Sequence, residues 1–160
     1  MDVQLRSAKR RDCEALVGLI GELAAFENLS HQMQVRPSDL EEHLFGEQPV
    51  IECLVADRAG KLVGFALFFV SFSTFLGKPG LYLEDLYVQP AERGRGVGTR
   101  LMTQLAQFAV ARGYGRFEWS VLDWNSKAIA FYEKLGAAVM PEWRICRVSG
   151  DALQALGAVP

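Results

Sequence analysis

Histidine and cysteine are scarce in this chain, two and three among 160 residues. With only His31 and His43 to draw on, no metal-ligand cluster stands out, so no metal is expected. A Cys-His nucleophile pair has no local support either. Cys13, Cys53 and Cys146 are odd in number, widely spaced and set in apolar or helical surroundings, which reads as reduced thiols rather than a disulfide framework. An excess of one charge is also missing. The net charge is −2 and no long basic run occurs, so nucleic acid is not an expected partner. No apolar run approaches the ~20 residues of a membrane span. The Met1-Asp2-Val3-Gln4 start lacks a signal-peptide pattern. Together these absences predict a cytoplasmic protein with no membrane partner. No repeat, low-complexity tract or linker divides the chain, so residues 1–160 read as one domain. Half of the residues are hydrophobic and 22% are charged, a balance that suits a soluble packed core.

Periodicity supplies the elements. Val3, Leu5 and Ser7 alternate as a first strand. Asp12 to Phe26 carries Ala15, Leu16, Leu19, Ile20, Leu23 and Ala24 at helical spacing. Pro37 to Phe45 predicts a shorter helix, with Ser38 as cap and Glu41 three residues on. Val50 to Ala56 is a strand, Asp57 to Gly60 a turn, and Leu62 to Phe72 a long apolar strand. Pro79-Gly80 punctuates the chain before a strand from Leu81 to Val88. Further on come a strand from Phe117 to Leu122, a helix from Asn125 to Leu135 ended by Gly136, a last strand from Trp143 to Val148, and a short helical tail. Early strands joined by turns and later ones joined by helices predict an α/β fold with a mixed sheet.

The run Arg93-Gly94-Arg95-Gly96-Val97-Gly98-Thr99 stands between a strand and a helix whose apolar face is Leu101, Leu105, Phe108 and Ala109. Alternating glycines let backbone approach something bulky, and helix-start amides carry partial positive charge, so a phosphate or diphosphate is the expected visitor. The run lacks the Gly-Lys-Ser/Thr ending of a P-loop. It lies past mid-chain, and the next strand ends in Trp119-Ser120-Val121-Leu122, with Glu118 and Asp123 only nearby, which does not match a dinucleotide fingerprint.

Leu83 to Gly98 resembles the coenzyme A motif of the GNAT superfamily of N-acyltransferases, Arg/Gln-x-x-Gly-x-Gly/Ala, met here by Arg93, Gly96 and Gly98. A second motif is formed by Asn125, Ala130-Phe131-Tyr132 and Leu135-Gly136-Ala137. Within the superfamily the chain is most similar to the spermidine/spermine (diamine) and thialysine acetyltransferases. The shared features include Glu22 to Glu27, Phe45-Gly46-Glu47, Val63 to Ala66, Leu81 to Asp85, Trp124-Asn125 and Trp143-Arg144. The resemblance implies a GNAT fold: a mixed, mostly antiparallel sheet with a splayed central strand pair and flanking helices. It implies acetyl-CoA as co-substrate. Leu86, Tyr87 and Val88 would hold the pantetheine by backbone pairing, Arg93 to Thr99 would cradle the diphosphate, and Asn125, Lys127 and Ala128 would meet the pantetheine arm. A homodimer is also implied, with Phe65 to Val70 and Phe72 to Phe75 available for contact.

Acetyl transfer to an amine needs a neutral amine, yet an alkyl amine of pKa near 10 is neutral about one part in a thousand at pH 7, a cost of roughly 4 kcal/mol. A carboxylate beside the amine removes that proton. Glu84 and Asp85 are the candidates, with Glu84 implied by the resemblance as base and substrate ligand. Tyr132 is the candidate acid for the departing thiolate. A cationic substrate calls for distal carboxylates and aromatic faces, for which Phe26, Glu27, Glu142 and Trp143 stand ready. Asn28 to Gln32 is less acidic than the corresponding stretch of the polyamine enzymes, which turns the expectation toward short diamines or thialysine-like amino acids. Two alternatives stay open: a protein or peptide acetyltransferase acting on lysine or N-terminal amines, and a non-catalytic acetyl-CoA-binding module.

Overall fold

Five strands form one sheet in chain order: β1 (Gln4–Ser7), β2 (Glu52–Arg58), β3 (Lys61–Ser73), β4 (Lys78–Val88) and β5 (Phe117–Trp119). The computed structural model describes residues 2–160. Neighbours are antiparallel from β1 through β4, and β5 joins β4 in parallel, as the mixed order of turns and helices predicts. The β2–β3 hairpin closes on Ala59 and Gly60, both at positive φ, the conformation of a two-residue turn that matches strand twist. Asp57 secures it by accepting the Gly60 amide at 2.7 Å.

The chain divides into two compact units, Met1–Ser120 and Val121–Pro160. In the first, helices α1 (Cys13–Phe26) and α2 (Pro37–Phe45) pack on the sheet through Cys13, Leu16, Leu19 and Leu40 against Val55, Phe65, Leu67 and Tyr87. Helix α3 (Val97–Ala111) buries Val97, Leu101, Met102, Leu105 and Ala109, and its Phe108 ring lies 6.2 Å from that of Phe68 on β3. Leu16, Leu101 and Leu105 are fully buried, each stabilising the fold by about 2–3 kcal/mol. Arg6 on β1 joins the sheet to the start of α1. It donates to Asp12 at 2.7 and 3.0 Å and to Asp57 at 3.0 Å.

Several boundaries differ from expectation. Helix α2 begins after Arg36, not at a Ser38 cap, and its first turn is closed by Asp39, which accepts the Arg36 amide at 2.8 Å. Pro79 and Gly80 lie inside β4 rather than before it. Glycine at 80 leaves room for Ser71 Oγ and the Arg116 carbonyl, which a Cβ would meet at 2.8 and 3.1 Å. The fifth strand stops at Trp119 instead of Leu122, since its pairing with β4 ends at Leu83, one residue before a bulge turns β4 away. Of the apolar stretch offered for subunit contact, Phe65 to Phe68 is buried core, whereas Val70, Phe72 and Phe75 are exposed.

The second unit contains α4 (Ser126–Lys134) and α5 (Gly150–Gly157), the latter matching the expected tail. The strand expected from Trp143 to Val148 is absent. Alternation specifies a strand only where an edge accepts it, and these residues are exposed and are not among the five strands. No helix among the described residues is long and apolar enough to cross a membrane.

Candidate active site

The centre of the candidate site is a break in β4. Leu83 faces Phe68 and Asp85 faces Leu67 across the β3–β4 ladder, so Glu84 is the extra residue of a β-bulge. A bulge bends its strand and re-aims the side chains beside it. On the other edge, pairing with β5 ends at Leu83 opposite Trp119, and Glu84, Asp85, Leu86, Tyr87 and Val88 run on past it. This is the splayed pair that the fold expectation required. Backbone groups of a strand beyond its last partner are ready to pair with an extended ligand.

Past Val88 the chain takes one short 3-10 turn, Pro90–Glu92, and reaches Arg93. Gly94 and Gly96 follow with φ of 74° and 79°, left-handed values at which a side chain is strained. Gly96 is the N-cap of α3 and supplies no side chain to close it. The first-turn amides of Val97, Gly98 and Thr99 therefore have neither intrahelical nor capping side-chain partners, while the buried Val97 side chain anchors the turn from below. Such an end attracts anions. Arg95 is largely exposed and stands 3.9 Å from Glu92, which Arg58 holds at 2.6 Å.

Of the carboxylates named from the sequence, Glu84 and Glu27 both act on Asp85. Burial pushes Asp85 up to about 6, with the nearby charges of Glu84 and Glu27 adding to the rise. Glu27, at the C-terminal cap of α1, is itself raised by burial. Glu84 is exposed and Asp85 half-buried. Three carboxylates that influence one another here, one of them raised to about 6, are the kind of group that favours positive charge. Phe26, the last residue of α1, precedes Glu27.

In the second unit Asn125 caps α4, its Oδ1 accepting the Ala128 amide at 3.2 Å. Lys127 and Ala128 lie in the first turn. Tyr132 is half-buried on the same helix, its ring 5.3 Å from Phe131. Glu142 and Trp143 are exposed in the segment without regular structure, Trp143 at 74%.

Sequence reasoning missed Glu22, Gln89 and Glu92. Glu22 accepts from Tyr87 Oη at 2.9 Å and from Gln89 Nε2 at 3.0 Å, tying α1 to the end of β4. Helical spacing marks Glu22 only as a residue of one face, and nothing local announces a partner 65 residues away. An open cavity of about 620 Å³ reaches Arg6, Asp12, Glu22, Lys61 and Gln89 but none of the candidate catalytic, coenzyme or substrate residues.

The sequence profile of the acetyltransferase (GNAT) family matches residues 20–137. The chain is 38% identical to the thialysine N-epsilon-acetyltransferase of Mus musculus, with 96% of each chain covered. It is 34% identical to spermidine/spermine N(1)-acetyltransferase-like protein 1 of Homo sapiens over 94% of this chain and 23% of that one. Among solved structures it is similar to an integron cassette protein from the mobile metagenome of V. cholerae, with a TM-score of 0.82, 28% identity and 99% of both chains covered.

Proposed function

The chain belongs to the acetyltransferase (GNAT) family, and from that premise we propose that it moves the acetyl group of acetyl-CoA directly onto a primary amine of a small diamine, polyamine or thialysine-like amino acid. The observation that carries this reading is the juxtaposition on one strand of a bulge bearing Glu84 and Asp85 and, at its end, an uncapped glycine-rich helix start. The full-length likeness to a thialysine acetyltransferase supports the acceptor class.

The residues present fit the co-substrate. Left-handed Gly94 and Gly96, with open space where their Cβ atoms would stand, and the amides of Val97, Gly98 and Thr99 would hold a diphosphate, with Arg95 beside it. The main chain of Leu86, Tyr87 and Val88 would pair with the pantetheine, and Asn125, Lys127 and Ala128 would meet its arm. When bound, acetyl-CoA supplies an activated acetyl thioester.

On the acceptor side, Phe26 and Glu27 of the first unit would receive the cationic substrate by ring face and charge. The reacting ammonium loses its proton to the Glu84–Asp85 pair. Glu84, exposed on the bulge, meets the amine as base, and Asp85, near 6, is ionised at neutral pH yet basic enough to share the proton. Tyr132 Oη holds a proton for the departing thiolate. The same reading gives the protein a homodimeric state, for which the exposed Val70, Phe72 and Phe75 offer apolar surface, and a cytoplasmic location.

Thiol release measured against a panel of diamines, polyamines, thialysine and lysine tests the proposal. Amine-dependent release with short diamines or thialysine is the expected result; none across the panel overturns it. Tyr132→Phe should lower kcat by about 100-fold while coenzyme A affinity stays within about threefold. Light scattering reads the oligomeric state.

A further inference from the structure

Arg93 opens the coenzyme A motif, and its side chain, though exposed, folds back across the end of β4. Nε donates to the Val88 carbonyl at 2.8 Å, folding the loop back onto the end of β4. The guanidinium carbon lies 5.3 Å from the Phe26 ring centroid and 5.5 Å from that of Tyr87, so the cation sits against an aromatic from α1 and another from β4. Tyr87 then reaches back to α1 through Glu22. Helix end, strand end and glycine loop thus meet on one planar group. Arg95, two residues on, is also exposed, at 63% of its side chain, and stands 3.9 Å from Glu92 rather than against a ring.

We propose that Arg93 is a positioning residue that latches the amine side of the site to the coenzyme side, while Arg95 supplies the charge that meets the diphosphate. The inference rests on the function proposed above for the identity of the two sides. Its physical basis is the shape of the group. A guanidinium can donate in its own plane to Val88 and stack by its faces on Phe26 and Tyr87 at once; an ammonium cannot do both. Phe26 adjoins Glu27, so loosening Arg93 lets the end of α1, and with it a carboxylate of the acidic group, drift from Glu84 and Asp85. The loop loses its tie to Val88 in the same event. Ordering on one side therefore favours ordering on the other, and the effect is reciprocal.

Two kinds of measurement test the latch. In kinetics, Arg93→Lys keeps the charge and loses the fork. It is expected to raise the amine KM about fivefold with kcat within about twofold. Coenzyme A binding by calorimetry should keep the parent's dependence on salt in Arg93→Lys, whereas Arg95→Gln should weaken it about tenfold at low salt and flatten that dependence. Hydrogen exchange supplies a readout that needs no turnover. The amides of Glu27 and Asn28, bonded to Leu23 and Ala25, and those of Glu92 and Arg93, bonded to Gln89 and Pro90, report the two sides. Arg93→Lys should speed both pairs together by about tenfold. Phe26→Leu, which changes only the helix side, should also speed exchange at Glu92 and Arg93. The proposal is overturned if either variant leaves the far pair at the parent rate, or if Arg93→Lys loses coenzyme affinity and salt dependence as Arg95→Gln does. Absence of acetylated product from any amine would instead strike the proposed function, with the exchange data still deciding the latch.

Discussion

Two groups of carboxylates lie in the first unit, and they are built on opposite principles. Around Arg6, the guanidinium holds Asp12 and Asp57 well below the ordinary carboxylate range, with the backbone amides of Lys9 and Gly60 adding to the effect. Around Asp85, burial and the charges of Glu84 and Glu27 push the other way, to about 6. No ion pair engages Asp85 among the described residues. The first arrangement stabilises the ionised form and fastens β1 to α1 and the β2–β3 turn. The second leaves negative charge under-compensated, a cost that only a cationic visitor or a proton relieves. Under the proposed function, carboxylates thus serve structure in one place and recognition in the other, and the presence of a resident cation separates them.

The comparison is broken most severely at the bulge. Asp85→Asn and Glu84→Gln are each expected to lower kcat/KM by about 100- to 1000-fold, read by thiol release at saturating acetyl-CoA. Asp85→Asn should at the same time raise Tm, because it removes a carboxylate that is costly to ionise. A fall in both activity and Tm would mean that Asp85 is a structural group after all, and the contrast with Asp12 would disappear.

At the other cluster the signs reverse. Arg6→Ala strands Asp12, which is 6% exposed, and is expected to cost about 2–4 kcal/mol of stability in urea unfolding. The kcat of the folded fraction should match the parent. A proportionate loss of kcat would show that the two clusters are not independent.

Acidity sharpens the same contrast. Asp12 and Asp57 have depressed folded-state values, so their contribution is fully present above about 4 and is lost as pH falls below it. Asp85 has a raised folded-state value, so its effect on stability is favourable at low pH and fades as pH rises from about 4 to about 6. Unfolding free energy should therefore climb steeply up to about pH 4, and Asp85→Asn should flatten the decline above that point. Activity runs the other way across the same interval. Because the unprotonated carboxylate accepts the proton, kcat/KM should rise about tenfold per pH unit below 6 and level off above it. A limb that survives Asp85→Asn but vanishes in Glu84→Gln would assign it to the bulge residue.

Much of this was legible in the sequence for physical reasons that differ from place to place. Helices α1, α3 and α4 follow from apolar spacing, and the glycine loop from its alternation before a helix. Glu84 and Asp85 were found by type and position, but strand alternation alone puts them on opposite faces, and only the bulge, a property of two strands in register, brings both to bear with Glu27. Ser38 as cap failed because the helix already starts at Pro37, with Asp39 closing the first turn on the Arg36 amide. The strand at Trp143 to Val148 failed because alternation specifies a face and not a partner. Glu22, Gln89 and the stacking of Arg93 on Phe26 depend on contacts across the fold that no window of sequence contains.

Glu27 tests the finest consequence of the contrast. It stands at the end of α1, raised by burial, and contributes to the field at Asp85. It sits on the end of α1 rather than on the bulge strand, which suits it to the far ammonium of a dication rather than to the reacting amine. Removing its charge should then weaken binding of a diamine and leave a monoamine of equal length almost unchanged. For Glu27→Gln we expect the KM for a short diamine to rise about threefold to tenfold, with kcat retained and the effect shrinking as salt is raised. The same substitution also removes one of the charges that lift Asp85, so the acid limb of kcat/KM should move to slightly lower pH. An equal rise in KM for diamine and monoamine would place Glu27 in packing beside Phe26, and the acidic group would then reduce to the two carboxylates of the bulge.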